Sequence, residues 1–478
     1  MNYRSVFGDE EPAEVFKYFA MLSEIPRRSG DQRRVSDFLL EFGRSLGLQS
    51  RRDDALNVVV EKPASGGYEA REPLILQAHM DMVCEKRAGV AHDFVKDPIR
   101  LLRDGDAIRA DGTSLGADNG VGVAFIMALL ADAAAKHPPL EAVFTTDEET
   151  DMAGAWALDL ERLNGRTLIN LDTAAVTVCG AGELEVEMRF AVDFEPIRAD
   201  SVVRSVVVGG LHGGHSGQDA TKERGNAVVL LHRILRRIGG KIPFQLVSIQ
   251  GGAGMSSAFA RDARAVLALP PGGVDAAAAA VEQCGEVFRE ELRLKDPDVR
   301  VEFVSERGRP ERAFGEESYH KLSRLLALLP DGVASRNFDF ENAMESCSNV
   351  GVVETEQDGV FSTILIRSVG EAKKYLLYEK VIMLCDLLGV SHTIARDIPH
   401  WKYSVDEALL AKATKCYPDR KPGISQGTLE CGIFLKKRPD LSVIALGSPY
   451  YYPHSPNEYF SIGETGEYWR RLKRFLEI

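Results

Sequence analysis

At 478 residues the chain exceeds what one ordinary hydrophobic core accommodates, so two domains are expected. Its 45% hydrophobic and 27% charged residues are the usage of a globular protein and exclude a disordered or fibrous chain. A formal net charge of -13 argues against nucleic acid as a partner, because phosphate-backbone binding needs clustered Lys and Arg.

The seven cysteines are scattered without Cys-x-x-Cys spacing, which points to a reduced compartment. The first residues, Met1-Asn-Tyr-Arg-Ser-Val-Phe-Gly8, lack the apolar core of a signal peptide. The longest apolar stretch, Val121 to Ala135, is interrupted by Asp132 and falls short of the roughly 20 residues of a membrane span. A soluble, cytoplasmic protein with no membrane contact is the expectation.

Residues 13–47 read as two helices flanking an arginine-rich turn, with Val15, Phe16, Phe19 and Leu22 at helical spacing. Arg27-Arg28 in that turn, like the Arg470-Arg471-Leu472-Lys473-Arg474 run, reads as solvated surface. From about 55 to 175, short runs rich in Val, Ile, Leu and Thr alternate with helical stretches, the pattern of a parallel sheet covered on both faces. The clearest helix runs from Val121 to Ala135, starting right after Asp118-Asn119-Gly120 and stopping before Pro138-Pro139. Between about 183 and 395 the strands alternate apolar and polar residues, as in Glu183 to Phe190 and Val206 to Val208, and helices are predicted near 225–238, 274–293, 316–328 and 371–388. That pattern implies a half-exposed antiparallel sheet with helices on its other face. The parallel pattern resumes at 405–478, with the run Ser442 to Gly447 and a closing helix from Glu464 to Glu477. The expected architecture is therefore α/β: a mostly parallel-sheet domain from 1–186 and 396–478, interrupted by an inserted α+β domain at 187–395.

Ligands of open parallel sheets gather beyond the carboxyl ends of the strands. Four segments carry donors at or just after apolar runs: Leu74-Ile-Leu-Gln-Ala-His79-Met-Asp81, the turn Gly116-Ala-Asp118-Asn119-Gly120, Ala142-Val-Phe-Thr-Thr-Asp-Glu148-Glu149 and Leu168-Ile-Asn-Leu-Asp172. A fifth donor, His454, stands in Tyr452-Pro-His454-Ser-Pro456. Each has a plainer reading: His79 and Asp81 in an ordinary loop, Asp118 as a helix N-cap, Glu148-Glu149 as a solvated acidic turn. Together they make two imidazoles and three carboxylates, plus one spare carboxylate. Asp118 has two oxygens and can span two ions roughly 3.5–4 Å apart; of Glu148-Glu149, one can ligate while the other takes a proton from water. Asp81 can accept the other ring N–H of a ligating His79, fixing its tautomer. Mixed nitrogen and oxygen donors without thiolate fit zinc, and also manganese or cobalt. The glycine-rich turn Gly209-Gly-Leu-His212-Gly-Gly-His215-Ser-Gly217 matches neither the dinucleotide fingerprint nor the phosphate loop.

These motifs resemble the M20 family of metallopeptidases, and within it the aminoacyl-histidine (Xaa-His) or cytosolic non-specific dipeptidases. The likeness spans nearly the whole chain and rests on Gln77 to Val83, His92 to Ile99, Gly112 to Gly120, Thr146 to Glu149, Gly213 to Gly217, Leu429 to Gly432 and His454 to Pro456. The resemblance implies that His79, Asp118 and Asp172 hold one metal and Asp118, Glu149 and His454 the other, with Glu148 the general base acting on a metal-bridging water and Asp81 the partner of His79. It implies a small peptide as substrate and an inserted lid domain that pairs with its copy in a homodimer. His215 resembles the histidine that reaches into the partner subunit's site to polarise the scissile carbonyl, and Arg367 resembles the family's arginine of that region, a carboxylate anchor. This sequence departs from the dipeptidases at Ser257, where they carry asparagine, at Ala260, where they carry proline, and at Gln426, where they carry histidine. A relative cleaving N-acyl amino acids or other amides, and a non-catalytic binding protein on the same scaffold, are the alternatives; the retained Glu148 speaks against the second.

Overall fold

The computed structural model describes residues 3–174, 176–252, 254–308 and 310–478. The chain divides into two compact units, one formed by residues 1–180, 401–425 and 429–478 and the other by residues 181–400 with 426–428.

The first unit is built on an eight-stranded sheet. In spatial order its strands are Gln49–Arg52, Val58–Lys62, Leu140–Thr145, Leu74–His79, Thr167–Ala174, Ser442–Gly447, Thr177–Gly180 and Gly423–Ser425. The four central strands are mutually parallel, whereas Gln49–Arg52 and Val58–Lys62 extend one edge antiparallel. The two central strands Leu74–His79 and Leu140–Thr145 are buried at every position, as expected for strands covered on both faces. The helix Ala117–Ala131 is buried over nearly its whole length, and its first residues include Asp118 and Asn119 in non-helical conformation after a left-handed Gly116. The helix thus begins four residues earlier than the apolar run alone predicts, because the Asp118–Asn119 turn itself is wound into its start. Two helices, Ala13–Ser23 and Arg33–Ser45, and the closing helix Ile462–Glu477 stand where periodicity predicts them.

Register explains why this sheet makes a site. Leu74 pairs with Leu140 and with Thr167, His79 pairs with Thr145, and Gln77 pairs with Asn170. Two residues beyond the Gln77/Asn170 pair the chain reaches His79 on one strand and Asp172 on the other. Because side chains alternate with a period of two, both project from the same face as that pair. The residues after Thr145 leave the sheet at the same edge, carrying Glu148 and Glu149.

The second unit is an antiparallel sheet whose main path runs Arg300–Ser305, Val202–Gly209, Ala263–Leu269, Gln245–Gly251, Met344–Thr355, Gly359–Ser368, Gly182–Ala191 and Ser391–Ile398, with Gly332–Arg336 paired to Met344–Thr355. Helices Ala227–Gly239, Val274–Glu291, Glu316–Leu328 and Glu371–Leu388 supply the residues that fill its core, such as Leu231, Ile234, Val281, Leu325 and Val381. Among the described residues, no helix is long and apolar enough to cross a membrane.

Candidate metal centre

The first unit brings all the anticipated donors together. His79, Asp118 and Asp172 form one group, Asp118, Glu149 and His454 another, and His79, Glu148 and Glu149 a third, with one donor atom from each residue of a group lying within 4.8 Å of the others. Asp118 belongs to the first two. Its Oδ1 lies 3.1 Å from Nε2 of His79, while Oδ2 lies 3.3 Å from Nε2 of His454. Nε2 of His79 is also 3.3 Å from Oδ1 of Asp172, and Nε2 of His454 is 2.9 Å from Oε2 of Glu149. One carboxylate therefore faces two imidazoles with its two oxygens, which is the arrangement a bridging ligand requires. Glu148 stands beside them, Oε2 4.0 Å from Nε2 of His79.

Asp81 ties two of these segments. Its Oδ1 lies 3.4 Å from Nδ1 of His79. The same carboxylate accepts the backbone N–H groups of Glu148 at 3.2 Å and Glu149 at 3.3 Å, and the hydroxyl of Ser29 at 2.7 Å. Burial works against its charge, but His79, Ser29 and the Glu149 amide outweigh burial and hold the carboxyl below the usual range. Asp81→Asn keeps the shape but gives one oxygen's place to a donor facing donors. Metal affinity should drop about 10–100-fold, the usual effect of removing the partner of a ligating histidine; titration with a competing chelator measures it.

The arginine-rich turn corrects the sequence reading. Arg27 is not solvated surface: it is 3% exposed. Its guanidinium donates to the carbonyls of Met80 at 3.1 Å and Asp81 at 3.0 Å, and to that of Gly116. It thereby joins the end of the His79 strand to the Asp118 turn. Gly116 has φ +71°, and a Cβ there would lie 2.4 Å from Nη2 of Arg27, so both backbone conformation and space require glycine. A lone Arg pair in a turn gives no hint of this, since its acceptors come from segments far apart in sequence.

Three further features escape a reading confined to metal-type motifs. Glu458 is buried and accepts the backbone N–H groups of Leu115 at 2.8 Å, Gly116 at 2.9 Å and Asp118 at 3.1 Å, linking the Asp118 turn to the segment that carries His454. Burial pushes its carboxyl up to about 7 despite those amides. Tyr450 donates its hydroxyl to the carbonyl of Asp172 at 2.8 Å. Beneath the donors runs a buried polar chain. Asn170 donates to Gln77 at 2.7 Å and accepts the Asp172 amide at 3.0 Å, while Gln77 and Thr145 donate to one oxygen of Glu430, Thr145 at 2.8 Å. Burial raises the Glu430 carboxyl to about 7.

Electrostatics tests whether the group suits cations. Four carboxylates, Asp118, Glu148, Glu149 and Asp172, crowd against two imidazoles, and Oε1 of Glu149 is buried with no hydrogen-bond partner among the described residues. Burial first, then the charge of Asp172 and Glu149, pushes Glu148 well above the usual carboxylate range, with His79 opposing. Burial and the neighbouring Asp118 charge do the same to Asp172. Burial opposes charge on His79 and His454, yet the carboxylates around them win and raise both well above the ordinary imidazole value. A buried excess of negative donors of oxygen and nitrogen type is what divalent cations neutralise. The residues fit.

His215 and Arg367 belong to the second unit. Arg367 is 3% exposed and pairs with Glu183, Nη1 to Oε2 2.7 Å. Of the positions that depart from the dipeptidase pattern, Ser257 offers its carbonyl to the Ser216 amide at 2.8 Å, Ala260 is buried, and Gln426 accepts the Met344 amide at 3.0 Å through Oε1.

Residues 75–477 match peptidase family M20/M25/M40. The chain belongs to that family. It is 31% identical over 474 residues to the cytosol non-specific dipeptidase of Escherichia coli (strain K12), covering 98% of this chain and 97% of the relative. Its fold superposes on the crystal structure of an aminoacylhistidine dipeptidase from Vibrio alginolyticus with a TM-score of 0.79 and 31% identity, over 99% of this chain and 98% of that one. A tripeptidase from Staphylococcus aureus shares the fold, with a TM-score of 0.58 at 15% identity over 98% and 99% of the two chains. M20 metallopeptidases bind divalent metals, and in this member the donors described above are the groups available to do so.

Proposed function

We propose that this M20 peptidase is a metal-dependent dipeptidase, of Xaa-His or broad specificity, working with two divalent ions, zinc first among the candidates. The observation that carries the reading is Asp118, one carboxylate whose two oxygens face the two imidazoles of separate donor groups. His79, Asp118 and Asp172 would hold one ion, and Asp118, Glu149 and His454 the other. Bound divalent ions supply Lewis-acid polarisation and make water a nucleophile near neutral pH. The full-length likeness to a non-specific dipeptidase and to an aminoacylhistidine dipeptidase, both at 31% identity, supports a short peptide as substrate.

The chain's own part is proton handling and positioning. Glu148 takes the proton of the attacking water on its carboxylate as the oxygen–carbon bond forms, and returns it to the amine nitrogen as the carbon–nitrogen bond breaks. Glu148 stands beside the donor groups, its Oε2 4.0 Å from Nε2 of His79, where a carboxylate can both accept and release that proton. Asp81 keeps the His79 ring in one orientation and, through the Glu148 and Glu149 amides, sets where the two glutamates stand. His215 donates a hydrogen bond to the scissile carbonyl, acting across a homodimer of the second unit, the lid.

Two features of that unit support pairing. Ser391–Ile398 ends the main strand order and pairs only with Gly182–Ala191 among the described residues. The preceding helix exposes Leu376, Met383 and Leu387, at 52%, 61% and 85%. An open sheet edge beside an exposed apolar helix face invites a second copy. Sedimentation velocity should show a species of twice the chain mass; a monomer at micromolar concentration contradicts the dimer.

The test of function is a panel of dipeptides, including Xaa-His members, beside N-acyl amino acids. Release of free amino acids from dipeptides, with N-acyl amino acids left intact, is the expected result. Turnover confined to N-acyl amino acids rules the dipeptidase reading out in favour of a related amidohydrolase.

A further inference from the structure

Asp172 is held by its backbone as well as by its carboxylate. Its N–H donates to Oδ1 of Asn170 at 3.0 Å, and its carbonyl accepts the hydroxyl of Tyr450 at 2.8 Å. The residue is 4% exposed, so these side chains stand in for water as partners of its backbone. On the carboxylate, Oδ1 lies 3.3 Å from Nε2 of His79 and 3.4 Å from the Tyr450 oxygen. A phenol keeps its one hydrogen at neutral pH. That hydrogen goes to the carbonyl, the shorter contact.

The strand before Tyr450 explains how the ring arrives there. Ser442–Gly447 runs parallel to Thr167–Ala174, with Ala445 opposite Asn170 and Gly447 opposite Ala174. A Cβ on Gly447 would press on the carbonyl oxygens of Leu171 and Thr173, the second from 2.9 Å. Only glycine lets the chain pass the Asp172 strand so closely. Three residues later Tyr450 meets Asp172, and four residues beyond it stands His454. The hydroxyl therefore joins the Asp172 strand to the segment that carries His454. Of the five anticipated metal donors, Tyr450 hydrogen-bonds Asp172 alone among the described residues. The Asp118 amide has its own brace in Glu458, and the Glu149 amide in Asp81.

We propose that Tyr450 is a positioning residue for Asp172, and that its hydroxyl sets how tightly the His79, Asp118 and Asp172 group holds its ion while leaving the Asp118, Glu149 and His454 group as it is. The inference rests on the two-ion reading above. A hydrogen bond to the ligand's own backbone fixes where its carboxylate stands. Losing that bond weakens one group without removing a ligand from either.

The experiment titrates the metal-free chain with zinc against a competing chelator. The parent should take up two ions per chain. Tyr450→Phe keeps the ring and loses only the hydroxyl. One of its two affinities should fall about 10–100-fold, the usual effect of removing a group bonded to a metal ligand, and the other should stay within about threefold of the parent's. His454→Ala takes a ligand from the second group, and in that background Tyr450→Phe should weaken the remaining ion by the same factor. In an Asp172→Ala background it should change nothing further, because a residue acting only through Asp172 has nothing left to act on. Urea unfolding of each metal-free variant shows that folded chains are being compared.

Equal weakening of both affinities overturns the proposal, since Tyr450 would then act on the whole segment up to His454. So does no change in either affinity, or a further loss in the Asp172→Ala background. A parent that binds fewer than two ions refutes the two-ion reading itself and takes this inference with it, an outcome visible before any variant is made.

Discussion

Glu148→Gln should lower kcat by about 10²–10⁴-fold while the metal content per chain stays that of the parent. The substitution preserves the volume of the side chain and leaves untouched the backbone N–H that Asp81 accepts, so the loop keeps its place. It removes only the ability to take up a proton. It also removes one of four crowded carboxylates at a position where burial and like charges already disfavour the ionised form, so the fold should not suffer. Glu148 is absent from the two donor groups that share Asp118 but joins His79 and Glu149 in a third, so metal content measured beside the rate separates a base from a ligand. Single-turnover kinetics beside elemental analysis gives both numbers. Undiminished turnover would remove Glu148 from the chemistry, and loss of metal together with rate would make it a ligand.

Chelation should abolish activity and leave a protein whose stability falls as pH rises. The slope follows from the direction of the shifts. Glu148, Glu149 and Asp172 are raised, first by burial. His79 and His454 are raised because neighbouring carboxylates overcome burial. In both cases the folded chain keeps protons that the unfolded chain has released, so stability declines with pH. For the histidines the favourable contribution is complete below the ordinary imidazole value of 6.5 and is lost as pH climbs through their higher folded values. For the glutamates the loss begins above their ordinary 4.5. Asp81 and Asp118 are depressed, burial being outweighed by their hydrogen bonds and the histidine charges; their contribution is complete above 3.8 and adds no slope in this window. Urea unfolding of the chelated protein between about pH 5 and pH 8 measures the trend. Restoring divalent ions should flatten it, with release of protons on binding. Stability that rises with pH in the chelated protein would contradict these shifts.

Much of this site was legible because a parallel sheet delivers the ends of its strands to one edge. His79, Glu149 and Asp172 could be assembled from apolar runs alone, and the register of Gln77 against Asn170 shows why they meet. What the runs did not reveal is what braces the donors. Gln77 and Asn170 were visible as amides inside apolar strands, each two residues before a candidate donor; a buried amide needs a partner, and theirs include each other and, for Gln77, Glu430. That signal was available and would have led to Glu430. Arg27 and Glu458 left no such trace. Arg27 sits in a basic pair of surface type, and Glu458 in a turn with Ser455, Pro456 and Asn457, and each acts on backbone groups that any residue could supply. The three residues 426–428, from the C-terminal stretch, group with the second unit because Gln426 bonds Met344 and Thr428 bonds Arg367 and Glu183, contacts between segments far apart in sequence.

Whether Asp118 serves two cations is decided by where bound metal sits. Crystals grown with zinc and measured at its absorption edge test it most directly. Two anomalous peaks are expected, one about 2.0–2.2 Å from donor atoms of His79, Asp118 and Asp172 and the other at the same range from Asp118, Glu149 and His454. A single peak, or two peaks that do not share Asp118, would contradict it.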